Sequence, residues 1–407
     1  MVRSKTASKS AKGRDQLSSN QSKTALKSAK GQDQPSPNQY DFSADLWKAV
    51  RATNPSAELV SPVGFGILMT VVKVGARGPA AEEIAETLHF DNDPATVQRN
   101  IKILKSLEGW KVDGIHLAFF TALCAPEKTS FHEDFVDFAE DKMRTEVRTV
   151  NYRKQPKACK ELNERFATAT KNIITSVLKP ADIGSKTKLM LLSGVCFKGL
   201  YKNSYRFKAQ QTKREKFLNA NGTHVDVDMM SGTSDYIFGR LDNLQSAAIS
   251  IPYEGGNYSL TLVLPDSKTG LKKLEKSMDE NFFANVRAKL KYSSHVFTAK
   301  IPKFKVNCRV DLVAVLKSMG IKTMFGVKAD FQGYFKGKDK SHYSRIYQQC
   351  ALEVSEKGSE GGAAPTGVKL QSGDVKFEAN HPFLFFITDE KNDAVVLESS
   401  NHRYNIN

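Results

Sequence analysis

The 407-residue sequence predicts an α+β fold in one body behind a basic N-terminal tail. Helix-period segments come first and strand-period segments dominate later, without the regular strand–helix alternation of a parallel βαβ sheet. No Pro/Gly-rich linker divides residues 40–407. A hydrophobic fraction of 40%, with 24 Phe, is ample for a large core.

Residues 1–39 hold eight Lys or Arg against two Asp, and SKTASKSAKGRDQ from Ser4 recurs as SKTALKSAKGQDQ from Ser22. With little to bury, this Ser/Lys-rich repeat is expected to be a disordered tail. Residues 40–407 are expected to form a single domain. Tyr40–Ala52 reads as a helix with Phe42, Leu46, Ala49 and Val50 on one face. Ser61 caps a second helix, with Pro62 at its first position and an end at Gly75–Gly78. Ala80–Leu88 is a short third helix. Phe119–Cys124 is strand-like, and Phe131–Lys142 and Ala158–Leu178 are helical, the latter closed by Pro180. Leu189–Lys198 is a continuous apolar run, as expected of a strand buried on both faces. Strands are expected at Ala247–Ile251, Tyr258–Leu264, Phe297–Phe304, Phe383–Ile387 and Ala394–Leu397, and helices at Leu271–Leu290 and Val310–Met319.

The formal net charge is +16, of which the tail supplies +6. A dense basic stretch, Lys198–Lys216, interleaves Lys and Arg with aromatics. Because the aromatics alternate like strand residues, it reads as a strand edge with a solvated charged face rather than a nucleic-acid surface. The five cysteines are odd in number and lack any CxxC pair, which points to reduced thiols, with Cys196 and Cys308 as small core residues. No GxSxG elbow, Walker loop, HExxH or Rossmann fingerprint is present, and no His/Cys/Asp cluster has metal spacing. The reading is therefore no enzyme, no catalytic residue, no metal and no cofactor. His381, before Pro382, reads as structural. No apolar run approaches the ~20 residues of a membrane span, and the N-terminus lacks an apolar core for a cleavable signal peptide. Sequons at Asn20, Asn221 and Asn257 matter only if the protein is secreted.

The most informative stretch is Val354–Asp374, a long polar segment between the strand-like ALEVSE and HPFLFFI. Its first half is nearly all small: Gly358, Ser359, Gly361, Gly362, Ala363, Ala364, Thr366 and Gly367. A structureless insert of this length is usually functional or disordered. These residues also suit a crowded sheet.

Several stretches, in order, resemble the serpin family from about Tyr40 onward. SPVGFGILMTVVKVGARG is similar to its second helix and MLLSGVCFKGLY to its long central strand. ISIPYEGGNYSLTLVLP is similar to its central hairpin, and Ile301–Gly333 to its strand, helix and ADFSG-type segment. LEVSEKGSE resembles its loop hinge and HPFLFFI its C-terminal signature. The lack of a signal peptide resembles the ovalbumin-like branch, implying a cytoplasmic protein or one exported by an unconventional route. The resemblance implies a serpin fold, about nine helices around three mainly antiparallel sheets with an exposed reactive-centre loop. It also implies a monomeric suicide-substrate inhibitor of serine proteases. The target attacks the loop, forms its acyl-enzyme, and is trapped in a covalent complex as the cleaved loop inserts into the largest sheet. The alternative is a non-inhibitory serpin acting as a carrier, storage or chaperone-like protein.

By this resemblance Glu356, Gly358, Ser359, Glu360, Gly361, Gly362, Ala363, Ala364 and Pro365 form the hinge. Ser359, Gly361, Ala363 and Pro365 would face inward once inserted. Pro365 is a departure, because without an N–H it forfeits a ladder bond, so insertion is expected to be slowed and the stoichiometry to exceed one. Counting from Glu356 places the scissile bond at Ser372–Gly373, and counting back from Pro382 at Gln371–Ser372. Leu370 suits a chymotrypsin- or elastase-type pocket and Lys369 a trypsin-type one; apolar specificity is favoured, with trypsin-like second. In the cluster beneath the insertion sheet Ser61 is kept, but Gly64, Ser193 and Gln348 replace the usual Ser, Asn and His. At the top of the sheet Tyr201 stands for a Trp, while Lys303 and Glu356 are expected to form an ion pair. Arg165 replaces an aromatic on the long helix. A heparin-like polyanion is a further expected partner, through the tail and basic patch.

Overall fold

The structure, a computed structural model, describes residues 42–88, 94–107, 114–202, 205, 207–293, 296–337, 341–356 and 377–401. Among these, nine α-helices and fifteen strands are arranged in three sheets. The helices are α1 (Ser43–Thr53), α2 (Pro62–Gly75), α3 (Gly78–Thr87), α4 (Pro94–Leu107), α5 (Glu133–Asp137), α6 (Gln155–Ala169), α7 (Leu271–Lys276), α8 (Phe282–Lys289) and α9 (Leu312–Ser318). The strands are β1 (Ile115–Pro126), β2 (Thr145–Val150), β3 (Leu189–Gly199), β4 (Lys213–Leu218), β5 (His224–Ser234), β6 (Ile237–Leu241), β7 (Ser246–Pro252) and β8 (Tyr258–Pro265). They continue with β9 (Lys291–Tyr292), β10 (Phe297–Pro302), β11 (Phe304–Asp311), β12 (Tyr343–Val354), β13 (Phe377–Glu378), β14 (Phe383–Asp389) and β15 (Ala394–Asn401).

The sheets have the orders β11-β12-β3-β1-β2, β13-β10-β5-β4 and β15-β14-β8-β7-β6-β9. Apolar almost all round, α2 is buried along nearly its whole length and packs on β3 and β15, so it is the central post of the molecule. The main core surrounds it. A second apolar cluster lies on the opposite face of the five-stranded sheet, where Leu162 and Phe166 of α6 cover Met190, Leu192 and Cys196 of β3. Sandwiched between α2 and α6, β3 is buried on both faces, which explains its unbroken apolar sequence. Phe166 lies so close that a Cβ on Gly194 would come within 2.8 Å of its ring.

The α+β class and the order of elements follow the sequence reading; several boundaries do not. The helix expected over Ala158–Leu178 stops at Ala169, because Thr170 turns its hydroxyl onto the Phe166 carbonyl at 2.7 Å and Lys171 and Asn172 adopt φ of +50° and +63°. Leu271–Leu290 is two helices, α7 and α8, rather than one. Phe297–Phe304 breaks at Lys303, leaving β10 and β11 in different sheets. Phe131–Lys142 gives only α5 and a following π turn at Phe138–Lys142. The basic stretch ends in β4, whose Arg214 and Lys216 are answered across the ladder by Asp228 at 3.3 Å and Asp226 at 2.9 Å. Cys308 is half-buried rather than a fully enclosed core residue.

One polar group stands out within the core. Glu398, on β15 opposite Phe386, is buried, and neither carboxylate oxygen has a hydrogen-bond partner among the described residues. Burial drives its pKa well above the ordinary value of 4.5. The folded state then holds a proton that the unfolded chain releases, so the contribution of this group to stability is constant below pH 4.5 and falls as pH rises from there toward the folded pKa. Within that window this group changes the unfolding constant by up to about tenfold per pH unit. Urea unfolding of Glu398→Gln across the same range is expected to show a shallower pH dependence than the wild type; identical slopes would reject the assignment.

Candidate functional site

The middle of the five-stranded sheet is a parallel pair. Strands β3 and β12 run side by side from Leu189 opposite Tyr343 to Lys198 opposite Glu353. Their outer neighbours are antiparallel: β1 to β3 and β11 to β12. At the central rung Ser193 faces Gln348 in register.

Beneath that rung lies the N-terminus of α2. Ser61 accepts a 3.0 Å bond from the Gly64 N–H and donates one of 2.6 Å to the Val396 carbonyl of β15. The Gln348 amide brackets the same residue: Oε1 accepts from the Ser61 N–H at 2.8 Å and Nε2 donates to its carbonyl at 3.1 Å. Positions 64 and 348 are thereby coupled. A Cβ at position 64 would lie 3.1 Å from Gln348 Nε2 and 2.8 Å from Val195, so Gly64 leaves the room that the extended glutamine amide occupies. Ser193 does not join this network; its hydroxyl is buried and without a hydrogen-bond partner.

At the end of β12, Glu356 joins two sheets. One carboxylate oxygen accepts from Thr212 at 2.8 Å, just before β4, and the other pairs with Lys303 at 3.0 Å, between β10 and β11. Burial alone would raise this carboxyl, but the Thr212 bond and the Lys303 ammonium outweigh it and hold the pKa below its usual range. Neighbouring Glu353 sits between Lys198 of β3 at 3.4 Å and Lys305 of β11 at 3.3 Å, an ion pair that bridges β3, β12 and β11. Tyr201, just beyond β3, is buried and stacks on Tyr253 with ring centres 4.9 Å apart. The expected Lys303–Glu356 pair is present, and Ser61 and Gln348 are brought together. Sequence reasoning missed Glu353, Lys198, Lys305 and Thr212; their roles depend on inter-strand register, which no local pattern records.

Gly358, Ser359, Glu360, Gly361, Gly362, Ala363, Ala364, Pro365, Lys369, Leu370, Gln371, Ser372 and Gly373 lie outside the described residues. On either side of them the described chain ends at Glu356, after β12, and resumes at Phe377 in β13, which pairs parallel with β10 in the four-stranded sheet. His381, by contrast, is held between Asn380 Oδ1 at 2.9 Å and the Pro265 carbonyl at 2.8 Å, in keeping with a structural place. Among the described residues no helix is long and apolar enough to cross a membrane.

The family model described as serpin (serine protease inhibitor) matches residues 37–398, so the chain belongs to the serpin family. It is 26% identical over 375 residues to human serpin B3, covering 87% of this chain and 95% of that one. It is 28% identical over 366 residues to the leukocyte elastase inhibitor of Xenopus tropicalis, covering 87% and 95%. A solved structure of native protease nexin-1 with heparin superposes with a TM-score of 0.81 at 26% identity, covering 90% of this chain and 98% of that one.

Replacing Gln348 with Ala leaves the buried N–H of Ser61 without its side-chain partner, while the Ser61 carbonyl keeps its 2.8 Å bond from the Phe65 N–H. A buried N–H left unpaired costs about 1–3 kcal/mol. The Gln348→Ala variant is therefore expected to unfold at clearly lower urea than the wild type, and an unchanged midpoint would show that the amide carries no weight.

Proposed function

We propose that the protein is a suicide-substrate inhibitor of serine proteases, acting by cleavage of the 357–376 loop and its insertion between β3 and β12. The observation that carries this reading is the parallel β3–β12 pair, with Glu356 at the end of β12 immediately before residues 357–376. A segment folding back from Glu356 would run antiparallel to both strands. It would exchange one parallel ladder for two antiparallel ones, which are slightly more stable per residue.

Chain length agrees with the counted bond. Cleavage after Gln371 or Ser372 frees residues 357–371 or 357–372, enough for a turn and a strand matching β12, which has 12 residues. The small residues Gly358 to Ala364 would enter first. In this reading the protease performs its ordinary acylation. The inhibitor supplies Gln371, Ser372 or Gly373 to the scissile bond, with Leu370 or Lys369 as neighbouring determinants, and Glu356 with Lys303 and Thr212 anchors the base of the loop. Ser61, Ser193, Gln348 and Tyr201 set the energy of sheet opening. Similarity to a leukocyte elastase inhibitor favours an elastase- or chymotrypsin-like target, with trypsin-like second. Similarity to a protein solved with heparin supports a polyanion as a second partner for the basic surface.

Pro365 favours a second reading, a non-inhibitory carrier, storage or chaperone-like serpin, because it removes one ladder bond from the inserted strand. Incubation with elastase, chymotrypsin and trypsin separates the two. Inhibition predicts an SDS-stable complex with at least one of them, a released peptide beginning at Ser372 or Gly373, and a clipped form that melts higher than the intact protein. Clean cleavage with no complex and no gain in melting temperature would sink the proposal. Pro365→Thr is expected to lower the number of inhibitor molecules consumed per protease inactivated; an unaltered ratio removes Pro365 as the brake.

A further inference from the structure

Two cysteines meet across the edge pair of the five-stranded sheet, next to the Ser61–Gln348 contact. Cys308 of β11 and Cys350 of β12 are direct partners in the antiparallel register. Residues directly opposite one another share a face. Accordingly Cys350 belongs to the main core and Cys308 packs against that core. The other three thiols, Cys124, Cys159 and Cys196, lie in the cluster on the other face, under α6. All five are unbridged.

We propose that Cys308 and Cys350 form a redox-active dithiol that closes to a cross-strand disulfide on reaction with a small-molecule disulfide such as oxidised glutathione. Directly opposed antiparallel residues have Cα atoms about 4.5–5.5 Å apart, and a disulfide spans about 4.4–6.8 Å. The bridge therefore forms within the existing ladder. Cys308, the more accessible, loses its proton and attacks one glutathione sulfur, giving a mixed disulfide and one glutathione thiolate. Cys350 then loses its proton and attacks the Cys308 sulfur, releasing the second glutathione. The two protein thiols are oxidised and one glutathione disulfide is reduced to two thiols.

Burial raises both thiols above their usual pKa, Cys350 the more strongly, so exchange is slow, as suits a device that responds to sustained oxidation. The surroundings are arranged to register the change. The Cys350 thiol donates to Gln348 Oε1 at 3.5 Å, on the oxygen that accepts from the Ser61 N–H. The Glu58 N–H donates to Cys308 Sγ at 3.4 Å. Closure removes the sulfur donor from Gln348 and bolts β11 to β12, the strand beside the parallel seam. The inference is independent of whether the loop inhibits a protease.

The test uses the full-length reduced protein, held folded with excess oxidised glutathione at mildly alkaline pH, then alkylated and peptide-mapped. The expected result is a Cys308–Cys350 link and two of five thiols lost. The oxidised protein should melt several degrees higher, and dithiothreitol should reverse both changes. Cys308→Ser and Cys350→Ser should each lose the intramolecular link while leaving Cys124, Cys159 and Cys196 titratable on unfolding. Linkage of any other pair, arrest at a glutathione adduct, or retention of every thiol overturns the proposal. Because the mapping is done on the wild type, misfolding of a variant does not obscure the outcome.

Discussion

A parallel ladder, β3 against β12, runs through the middle of the five-stranded sheet between two antiparallel pairs, and the design of the molecule turns on that seam. Parallel neighbours cannot be joined by a tight turn. The chain therefore makes a long excursion through the other two sheets between Gly199 and Tyr343 before β12 closes onto β3. Both faces of the seam are covered, by α2 on one side and α6 on the other, so β3 is apolar along its buried length except at Ser193. The same coverage means that separating the strands exposes no large polar surface. Under the proposed mechanism the groups to be re-paired are those of the ladder itself, which an inserting strand of suitable length and small side chains would provide.

Polar groups near the seam are unevenly satisfied. Ser61 has its N–H, carbonyl and hydroxyl all bonded, two of them by Gln348. Ser193, on the same rung, has a hydroxyl with no partner, and Glu398 keeps a buried carboxyl with none. A buried unpaired polar group costs about 1–3 kcal/mol. These sites lower the stability of the closed state without harming its packing. Gly64 and Gln348 show the opposite tendency, a pair of substitutions that fit each other. The glutamine amide reaches Ser61 across the space that a Cβ at position 64 would crowd.

Much of this was legible from sequence, and the failures share a cause. Ser61 and Pro62 announced the start of α2 through local chemistry, and the β7–β8 hairpin and β3 were plain from periodicity and burial. The end of α6 was not, because helix-compatible residues continue to Leu178 while Lys171 and Asn172 turn left-handed. Nor was the break at Lys303, where one strand-like run serves two sheets. At the site, Glu356 and Lys303 were paired in advance through family resemblance. The bond from Gln348 to Ser61 spans 287 positions and the Glu353 ion pairs require three strands in register, so neither is written in any window of sequence.

The anchor at Glu356 explains how the exit of β12 is held at the end of this seam. Its carboxylate is nearly buried and is held by Thr212 and Lys303, both outside the five-stranded sheet. Three residues earlier, Glu353 ties β12 directly to Lys198 on β3. Strand β12 is therefore fastened at its exit both to its neighbour and to the four-stranded sheet that receives β13. Under the proposed mechanism the intact chain between Glu356 and Phe377 could not reverse direction beside β3 without carrying Phe377 and Glu378 away from β10. Cutting the chain beyond residue 370 removes that constraint and leaves the Glu356 anchor in place. Under the proposed mechanism the control is thus topological: the ion pairs set how readily the seam parts, and the covalent continuity of residues 357–376 decides whether anything is free to enter it.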